Sequence, residues 1–255
     1  MKLVNKIIKK IKNIRNWYFP PTLENRIDET VLNELISNKN RLTDQDFLEK
    51  VLIPKLGLNN EHLEEFPEEL YQYTGKGLLL WQYPNQLSKF LIFLSNHASI
   101  NSFLEIGVRY GGNMLLIKNY LETVHEKKII TLGIDPRENK KLRKLSSKFN
   151  FEYLKCRSTS DFFKSILSKR KFDLVFIDGD HSYEICKHDF NLVKDISKYI
   201  VFHDIVNDVC PGVIKVWNEV KNNKDYTTIE FIDQYLSCEV KSGKKYLGIG
   251  IAIKN

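Results

Sequence analysis

A regular alternation of short apolar runs and helical stretches begins at residue 102 and continues almost to the end of the 255-residue chain. Seven runs have the length and composition of strands: 102–107, 128–134, 151–155, 172–177, 199–203, 226–232 and 246–253. Helical patterns fill most of the gaps, over 112–124, 138–148, 160–169, 183–195 and 212–222. This alternation predicts an α/β fold with a mostly parallel sheet and helices on both faces. In such a sheet, ligands bind beyond the carboxyl ends of the strands.

The loop after the first predicted strand is rich in glycine. It has the sequence EIGVRYGGN over residues 105–113 and leads into a predicted helix. Glycines at positions such as Gly107, Gly111 and Gly112 let the backbone come close to a ligand at a helix N-terminus. The dinucleotide fingerprint G-x-G-x-x-G would need its second glycine where Arg109 stands, so that motif is absent. The loop therefore predicts a ligand site and argues against a nicotinamide-dependent oxidoreductase.

The second predicted strand ends at Asp135. A carboxylate at this place can accept hydrogen bonds from both ribose hydroxyls of a nucleoside, as the acidic residue of dinucleotide sites does. The alternative is that Asp135 only caps the helical stretch that follows Pro136.

Polar residues also close the fourth and fifth predicted strands. Asp178 follows one strand within FIDGDHSYE, and His203 and Asp204 follow the next within VFHDI. Because parallel strands end at the same edge of a sheet, these side chains are expected to converge. Two carboxylates and an imidazole can hold an octahedral divalent ion with open positions for a substrate. Taken singly, an Asp or His at such a place is more often a helix cap or a satisfied polar residue.

Taken together, WQYPNQL, LEIGVRYGGN, GID, FIDGDHSYE and FHD resemble the class I S-adenosylmethionine (SAM)-dependent methyltransferases. The resemblance is to the branch that includes macrocin-type sugar O-methyltransferases and proteins labelled cephalosporin hydroxylase-like, and it covers residues 75 to about 222. It implies a Rossmann-like seven-stranded sheet with a reversed final strand, preceded by an N-terminal helical cap. It also implies that SAM contacts Gln82, Glu105, Gly107, Gly111, Gly112, Asn113, Asp135, Ser158 and Asp178.

The same resemblance implies a metal site and a catalytic base. Asp178, His203 and Asp204 map onto the ligands of a divalent ion, Mg²⁺ or Mn²⁺, and His181 maps onto the catalytic histidine. The chain departs from the pattern at His203, where close metal-binding relatives have a carboxylate. Imidazole suits magnesium less well than manganese, iron or zinc. If His203 pointed into the fold, Asp178 and Asp204 would remain as the ligands.

The implied reaction is methyl transfer from SAM to a sugar hydroxyl, on a nucleotide-linked sugar or a surface-polysaccharide precursor. A sugar hydroxyl must lose its proton during attack. A bound divalent ion would acidify it, and His181, with an unperturbed pKa of about 6.5, would accept the proton. The alternatives are O-methylation of an antibiotic or phenolic hydroxyl, and a non-catalytic SAM-binding scaffold.

The net charge of +7 belongs to one end of the chain. Residues 1–16 carry six basic residues and no acidic one, and the remaining 239 residues carry 33 basic and 32 acidic residues. A nucleic-acid groove would need clustered basic residues within the fold itself. Methylation of RNA is therefore disfavoured, and the expected partner is a small molecule.

The basic N-terminal segment has apolar residues at helical spacing, from Val4 to Ile14, between its lysines. This pattern predicts an amphipathic helix over residues 1–21. Residues 1–18 would lie on an anionic membrane surface, or pack on the same domain or a second subunit. Charges interrupt the segment every few residues, so it does not resemble a secretory signal. A homo-oligomer is expected, because relatives commonly form one.

The rest of the chain is divided into a helical lead-in over 22–100 and a SAM-dependent methyltransferase domain over 101–255. Within the lead-in, one helix is predicted to be capped by Thr43 and another to start near Pro84. Four cysteines without a CxxC pair indicate reduced thiols. No stretch approaches the roughly 18 apolar residues that span a bilayer. The expected location is the cytoplasm, with the inner face of the membrane as a possible site.

Overall fold

The computed structural model describes residues 26–255, apart from the side chains of residues 239–241. A seven-stranded sheet lies at its centre, in the order β3-β2-β1-β4-β5-β7-β6. The strands are β1 Ser102–Ile106, β2 Ile130–Asp135, β3 Glu152–Lys155, β4 Phe172–Ile177, β5 Ser197–His203, β6 Tyr226–Phe231 and β7 Ile249–Lys254. Strand β7 is antiparallel to both β5 and β6, and the other pairs are parallel. The predicted α/β fold with a reversed final strand is confirmed.

Helices cover both faces of this sheet. They are α1 Pro84–Ser95, α2 Gly112–His125, α3 Lys140–Phe149, α4 Asp161–Leu167, α5 Tyr183–Val193, α6 Pro211–Lys221 and α7 Leu236–Ser242. Side chains alternate along each strand, so β4 sends Leu174 and Phe176 to one core and Val175 and Ile177 to the other. The first core is formed with α1, α2 and the lead-in, and the second with α4, α5 and α6.

The helix predicted to start near Pro84 is confirmed as α1. The part of the lead-in before it differs from the regular helices that its pattern predicts. It consists of short helical turns: Glu29–Leu32, Asn33–Ser37, Lys39–Arg41, Gln45–Phe47, Leu48–Leu52, Ile53–Leu56, Leu63–Glu65 and Glu68–Tyr73. Pro67 and glycines in the left-handed region, such as Gly57, interrupt it. The cap prediction at Thr43 is wrong by one residue, because the Asp44 carboxylate accepts the Phe47 N–H at 3.1 Å. The helix predicted over 1–21 lies outside the described residues.

Two glycines allow the segments around the strand ends to come close together. Gly107 has a φ of +95°, and a Cβ there would lie 2.0 Å from the Asp178 carbonyl oxygen. At Gly112, which starts α2, a Cβ would lie 1.8 Å from the Leu78 carbonyl oxygen of the lead-in. The loops after β1 and β4, and the lead-in, are therefore in backbone contact at one edge of the sheet. Across residues 26–255, no helix is both long and apolar enough to cross a bilayer.

Candidate active site

The carboxyl ends of the parallel strands open onto a cavity of about 610 Å³. This volume is within the range of about 300–1,000 Å³ that is usual for small-molecule sites. The loop after β1 forms one wall, and the lead-in covers it with side chains that include His62, Glu65, Trp81 and Gln82. The nine residues predicted to contact SAM all line this cavity: Gln82, Glu105, Gly107, Gly111, Gly112, Asn113, Asp135, Ser158 and Asp178.

Asp135, at the end of β2, is held in a fixed orientation. It is 4% exposed, and its two carboxylate oxygens accept the backbone N–H groups of Arg109 and Arg137, each at 2.8 Å. Burial raises the pKa of Asp135. The interpretation as a helix cap is wrong, because Asn139 caps α3 by accepting the Leu142 N–H. A carboxylate oxygen can accept a second hydrogen bond, so Asp135 can still receive ribose hydroxyls.

Glu105 and Asn113 face each other across the glycine-rich loop. The Asn113 amide donates to Glu105 Oε1 at 3.1 Å. The second carboxylate oxygen of Glu105 and the amide oxygens of Asn113 and Gln82 have no partner in the part of the chain that is described. Burial raises the pKa of Glu105 to about 8. Orphaned buried polar groups are rare in folded proteins, and these belong to residues around one cavity, as a polar ligand such as SAM would require.

At the ends of β4 and β5, four side chains form a compact group that we call the rim cluster: Asp178, His181, His203 and Asp204. One donor atom of each lies within 4.8 Å of those of the other three. His203 Nδ1 lies 3.0 Å from Asp178 Oδ1 and 3.4 Å from Asp204 Oδ2. His203 therefore points into the cluster, and the sequence-based alternative in which it turns away is wrong.

His181 closes the cluster on the cavity side. Its Nε2 atom lies 3.5 Å from Asp178 Oδ1 and 3.4 Å from Asp204 Oδ2. On the other side of the ring, Nδ1 contacts Cys210 Sγ at 3.3 Å. The His181 side chain is 40% exposed, whereas those of His203 and Asp204 are 4% exposed. Of these three side chains, His181 is the most exposed and the least constrained by packing.

Asp204 has an unusual backbone conformation. Its φ of +62° lies in the left-handed region, which costs a residue other than glycine about 1–3 kcal/mol. The Asn207 amide donates to Asp204 Oδ1 at 2.8 Å, so the carboxylate is fixed by its neighbours. Strain of this kind is concentrated at functional sites.

In the rim cluster, the carboxylates and the imidazoles each stabilise the charged form of the other. Burial would raise the pKa values of Asp178 and Asp204, but the neighbouring His203 and His181 lower both. Burial would lower the pKa of His181, but its contacts with Asp178 and Cys210 and the charges of both carboxylates raise it to about 11. The pKa of His203 is raised by the same two carboxylates. The two carboxylates thus require positive charge beside them, and their oxygens and the imidazole nitrogens are common metal ligands.

Sequence reasoning missed three residues at the cavity. Glu65 is 6% exposed and accepts the Trp81 indole N–H at 2.8 Å. Asp189 is 1% exposed, and one of its carboxylate oxygens has no partner among the described residues. Cys210 contacts His181 as described above. Glu65 and Cys210 lie outside the recognised motifs. Asp189 lies within a predicted helix, where an acidic residue is common and by itself indicates no function. The helical periodicity of α5 places Asp189 inward, and this was the one available signal.

Comparisons with known proteins bear on the domain and on the fold. Residues 104–205 match a family model described as a methyltransferase domain. Uncharacterized protein R132 of Acanthamoeba polyphaga mimivirus is 33% identical over 150 residues, which are 51% of this chain and 65% of that protein. The match therefore spans just under two thirds of the relative's length.

A solved structure resembles the fold at low sequence identity, and a second aligns over a similar length with a lower score. The cofactor-bound Rv0187 protein from MTB is 14% identical, with a TM-score of 0.51 over 89% of this chain and 90% of that one. A Klebsiella pneumoniae protein provisionally assigned as an O-methyltransferase is 14% identical, with a TM-score of 0.48 over 96% of both chains. The family match covers most of β1, all of β2 to β5 and the four residues of the rim cluster. The prediction of a methyltransferase domain is thus supported over residues 104–205.

Proposed function

We propose that this chain is a SAM-dependent O-methyltransferase that methylates a sugar hydroxyl, on a nucleotide-linked sugar or a surface-polysaccharide precursor. One observation carries the proposal. A cluster of two carboxylates and two imidazoles lies on the wall of the same cavity as the residues expected to bind the cofactor. The family match supports the methyl-transfer chemistry, and the sugar acceptor rests on the motif resemblance.

The cofactor residues have distinct roles in this proposal. Asp135, oriented by two backbone N–H groups, would accept the ribose hydroxyls. Glu105, Asn113 and Gln82 offer oxygens that lack hydrogen-bond donors, and these suit the ammonium group of the methionine portion. Ser158, in the loop after β3, would lie beside the adenine. These residues fit SAM, whose methyl group is the one transferred.

The rim cluster would hold a divalent ion, Mg²⁺ or Mn²⁺, through Asp178, His203 and Asp204. Such an ion supplies Lewis acidity to a bound hydroxyl. Much of the catalysis is positioning, because the reaction is an in-line displacement at a methyl group. The positive charge of a bound ion would lower the pKa of His181, which the two carboxylates alone raise. His181 Nε2 would then take the hydroxyl proton. Cys210 behind Nδ1 holds the ring in the orientation that presents Nε2.

Calorimetry and product analysis test the proposal. Purified full-length chain should bind S-adenosylhomocysteine, and incubation with SAM and a panel of sugar nucleotides should give a product heavier by one methylene. Methylation of phenolic acceptors alone would favour the alternative O-methyltransferase. Cofactor binding without turnover on any hydroxyl acceptor would favour the scaffold.

Two proposals concern the N-terminal segment and assembly. Residues 1–18 would associate with an anionic membrane surface, and the apolar stripe would alternatively pack in a homo-oligomer. If deletion of residues 1–18 left both membrane co-sedimentation and the subunit count unchanged, neither role would stand. The boundaries 1–21, 22–100 and 101–255 remain the proposed organisation.

A further inference from the structure

Asp189 carries a buried carboxylate that the proposed function leaves without a role. It lies on α5, lines the cavity and is 1% exposed. Its Oδ1 atom lies 3.1 Å from His188 Nδ1, whereas Oδ2 has no partner among the described residues. Burial of a carboxylate oxygen without a hydrogen-bond donor is unfavourable. Oδ2 therefore indicates a donor that the described part of the chain does not supply.

The neighbours of Asp189 place its carboxylate near the ends of β3 and β4. Burial raises the pKa of Asp189, whereas contacts with the Ser158 hydroxyl and with His188 lower it. Ser158 lies in the loop after β3, and Gly179 in the loop after β4. A Cβ at Gly179 would lie 3.3 Å from Asp189 Oδ2, so the glycine leaves that side of the oxygen uncovered. Ser158 and Gly179 both line the cavity, and Oδ2 is therefore close to its wall.

SAM has three groups that donate hydrogen bonds: the ammonium of its methionine portion, the ribose hydroxyls and the amino group of adenine. In the proposed function, the ammonium is received by the oxygens beside the glycine-rich loop, and the ribose hydroxyls are received by Asp135. The adenine amino group has no acceptor in that assignment. Ser158, which would lie beside the adenine, contacts Asp189. The remaining donor of the ligand and the unpartnered acceptor of the protein thus fall in the same part of the cavity.

We propose that Asp189 selects adenine as the base of the cofactor, with Oδ2 accepting a hydrogen bond from the adenine amino group. The inference deepens the proposed function and rests on it for the identity of the cofactor. The contact with His188 holds Oδ1 and leaves Oδ2 for the ligand. A base with a carbonyl oxygen in place of the amino group would bring two acceptors together and leave both unpaired, which a site of this kind rejects.

S-inosylhomocysteine is a suitable probe, because it differs from S-adenosylhomocysteine only in the base, where a carbonyl oxygen replaces the amino group. Calorimetry on the full-length chain should show a preference for S-adenosylhomocysteine of about 10- to 100-fold, as expected for one hydrogen bond to a charged group. Asp189→Asn keeps the shape of the side chain and offers an amide donor to the carbonyl oxygen, so the preference should fall by about tenfold or more. Asp189→Ala should weaken binding of S-adenosylhomocysteine and leave the two ligands nearly equal.

Asp180→Asn is the matched control. Asp180 also lies on the cavity wall, where its Oδ1 atom accepts the Ser182 N–H at 2.9 Å. The substitution removes the same charge from the same wall, and the wild-type preference should remain. An Asp189 with only a structural role would weaken both ligands together, so the ratio of the two dissociation constants separates that role from contact with the base.

Two results would overturn the inference: equal affinity of the wild-type chain for the two ligands, or an unchanged ratio in folded Asp189→Asn. The wild-type comparison needs no substitution, so it tests the inference even where a variant does not fold. Binding of S-adenosylhomocysteine with either of these results would refute only the role of Asp189. A folded wild-type chain that binds neither ligand would instead refute the methyltransferase.

Discussion

Substitution of Asp135 by Asn tests the cofactor site with a small structural change, because the side chain keeps its size and loses its charge. The wild-type carboxylate accepts two backbone N–H groups at 2.8 Å and is expected to accept ribose hydroxyls as well. Asn has one acceptor oxygen, so its NH₂ group must face either a backbone N–H or the ribose. A hydrogen bond to a charged group contributes about 1.5–3 kcal/mol. Loss of one such bond should weaken S-adenosylhomocysteine binding about 10- to 100-fold.

The assay is isothermal titration calorimetry, with thermal unfolding measured in parallel. Asp173→Asn is the matched control, because Asp173 Oδ2 accepts the N–H groups of Asn101 and Ser102 at 2.7 and 3.0 Å at the other end of the sheet. Asp135→Asn should lose about 1–3 kcal/mol of stability, the cost of an unsatisfied donor. Asp173→Asn should lose less, because one oxygen, Oδ2, accepts both N–H groups and the amide oxygen of Asn can keep them. Only Asp135→Asn should lose cofactor affinity. Equal affinity in the two folded variants would refute the assignment of Asp135 to the ribose.

Three other predictions follow from particular residues. The pKa of Glu105 is about 8 in the fold against 4.5 for a solvated glutamate, so protonation of Glu105 stabilises the fold. This contribution should disappear as the pH rises from about 4.5 to about 8. Glu105→Gln should flatten that part of the profile of melting temperature against pH, and an unchanged slope would contradict it. Gly107→Ala should lower both the melting temperature and the cofactor affinity, because the added Cβ would lie 2.0 Å from the Asp178 carbonyl oxygen. A variant of normal stability would show that the close approach of the loops after β1 and β4 is not required for the fold. Chelation should abolish turnover and leave S-adenosylhomocysteine binding intact, and full activity after verified metal removal would exclude an essential ion.

The sheet could be predicted because its central strands, β1, β2, β4 and β5, are mostly buried on both faces. A continuous apolar run such as 174–177 favours a strand buried on both faces, and this one lies within the observed β4. Because parallel strands end together, the grouping of Asp178, His203 and Asp204 could be predicted from the sequence as well. The reversed final strand followed from the resemblance, since antiparallel pairing of β7 leaves no mark on its own sequence.

The lead-in and the surroundings of His181 could not be predicted in the same way. The short turns of the lead-in are set by contacts with the rest of the fold, such as the approach of Leu78 to Gly112. The hydrophobic periodicity of the sequence carries no information about such contacts. Cys210 reaches His181 because the chain turns back into α6, and Glu65 reaches the cavity through its bond to Trp81. Both contacts depend on tertiary packing of loops, where local sequence carries little information.

The most direct test of the central claim is calorimetric titration of the full-length chain with S-adenosylhomocysteine and, separately, with NAD. The proposed site has a carboxylate for the ribose and a glycine loop in which Arg109 replaces the middle glycine of the dinucleotide fingerprint. The expected result is saturable binding of S-adenosylhomocysteine in the micromolar range and no heat from NAD. Binding of NAD alone, or of neither ligand to a chain whose circular dichroism shows it to be folded, would contradict the account.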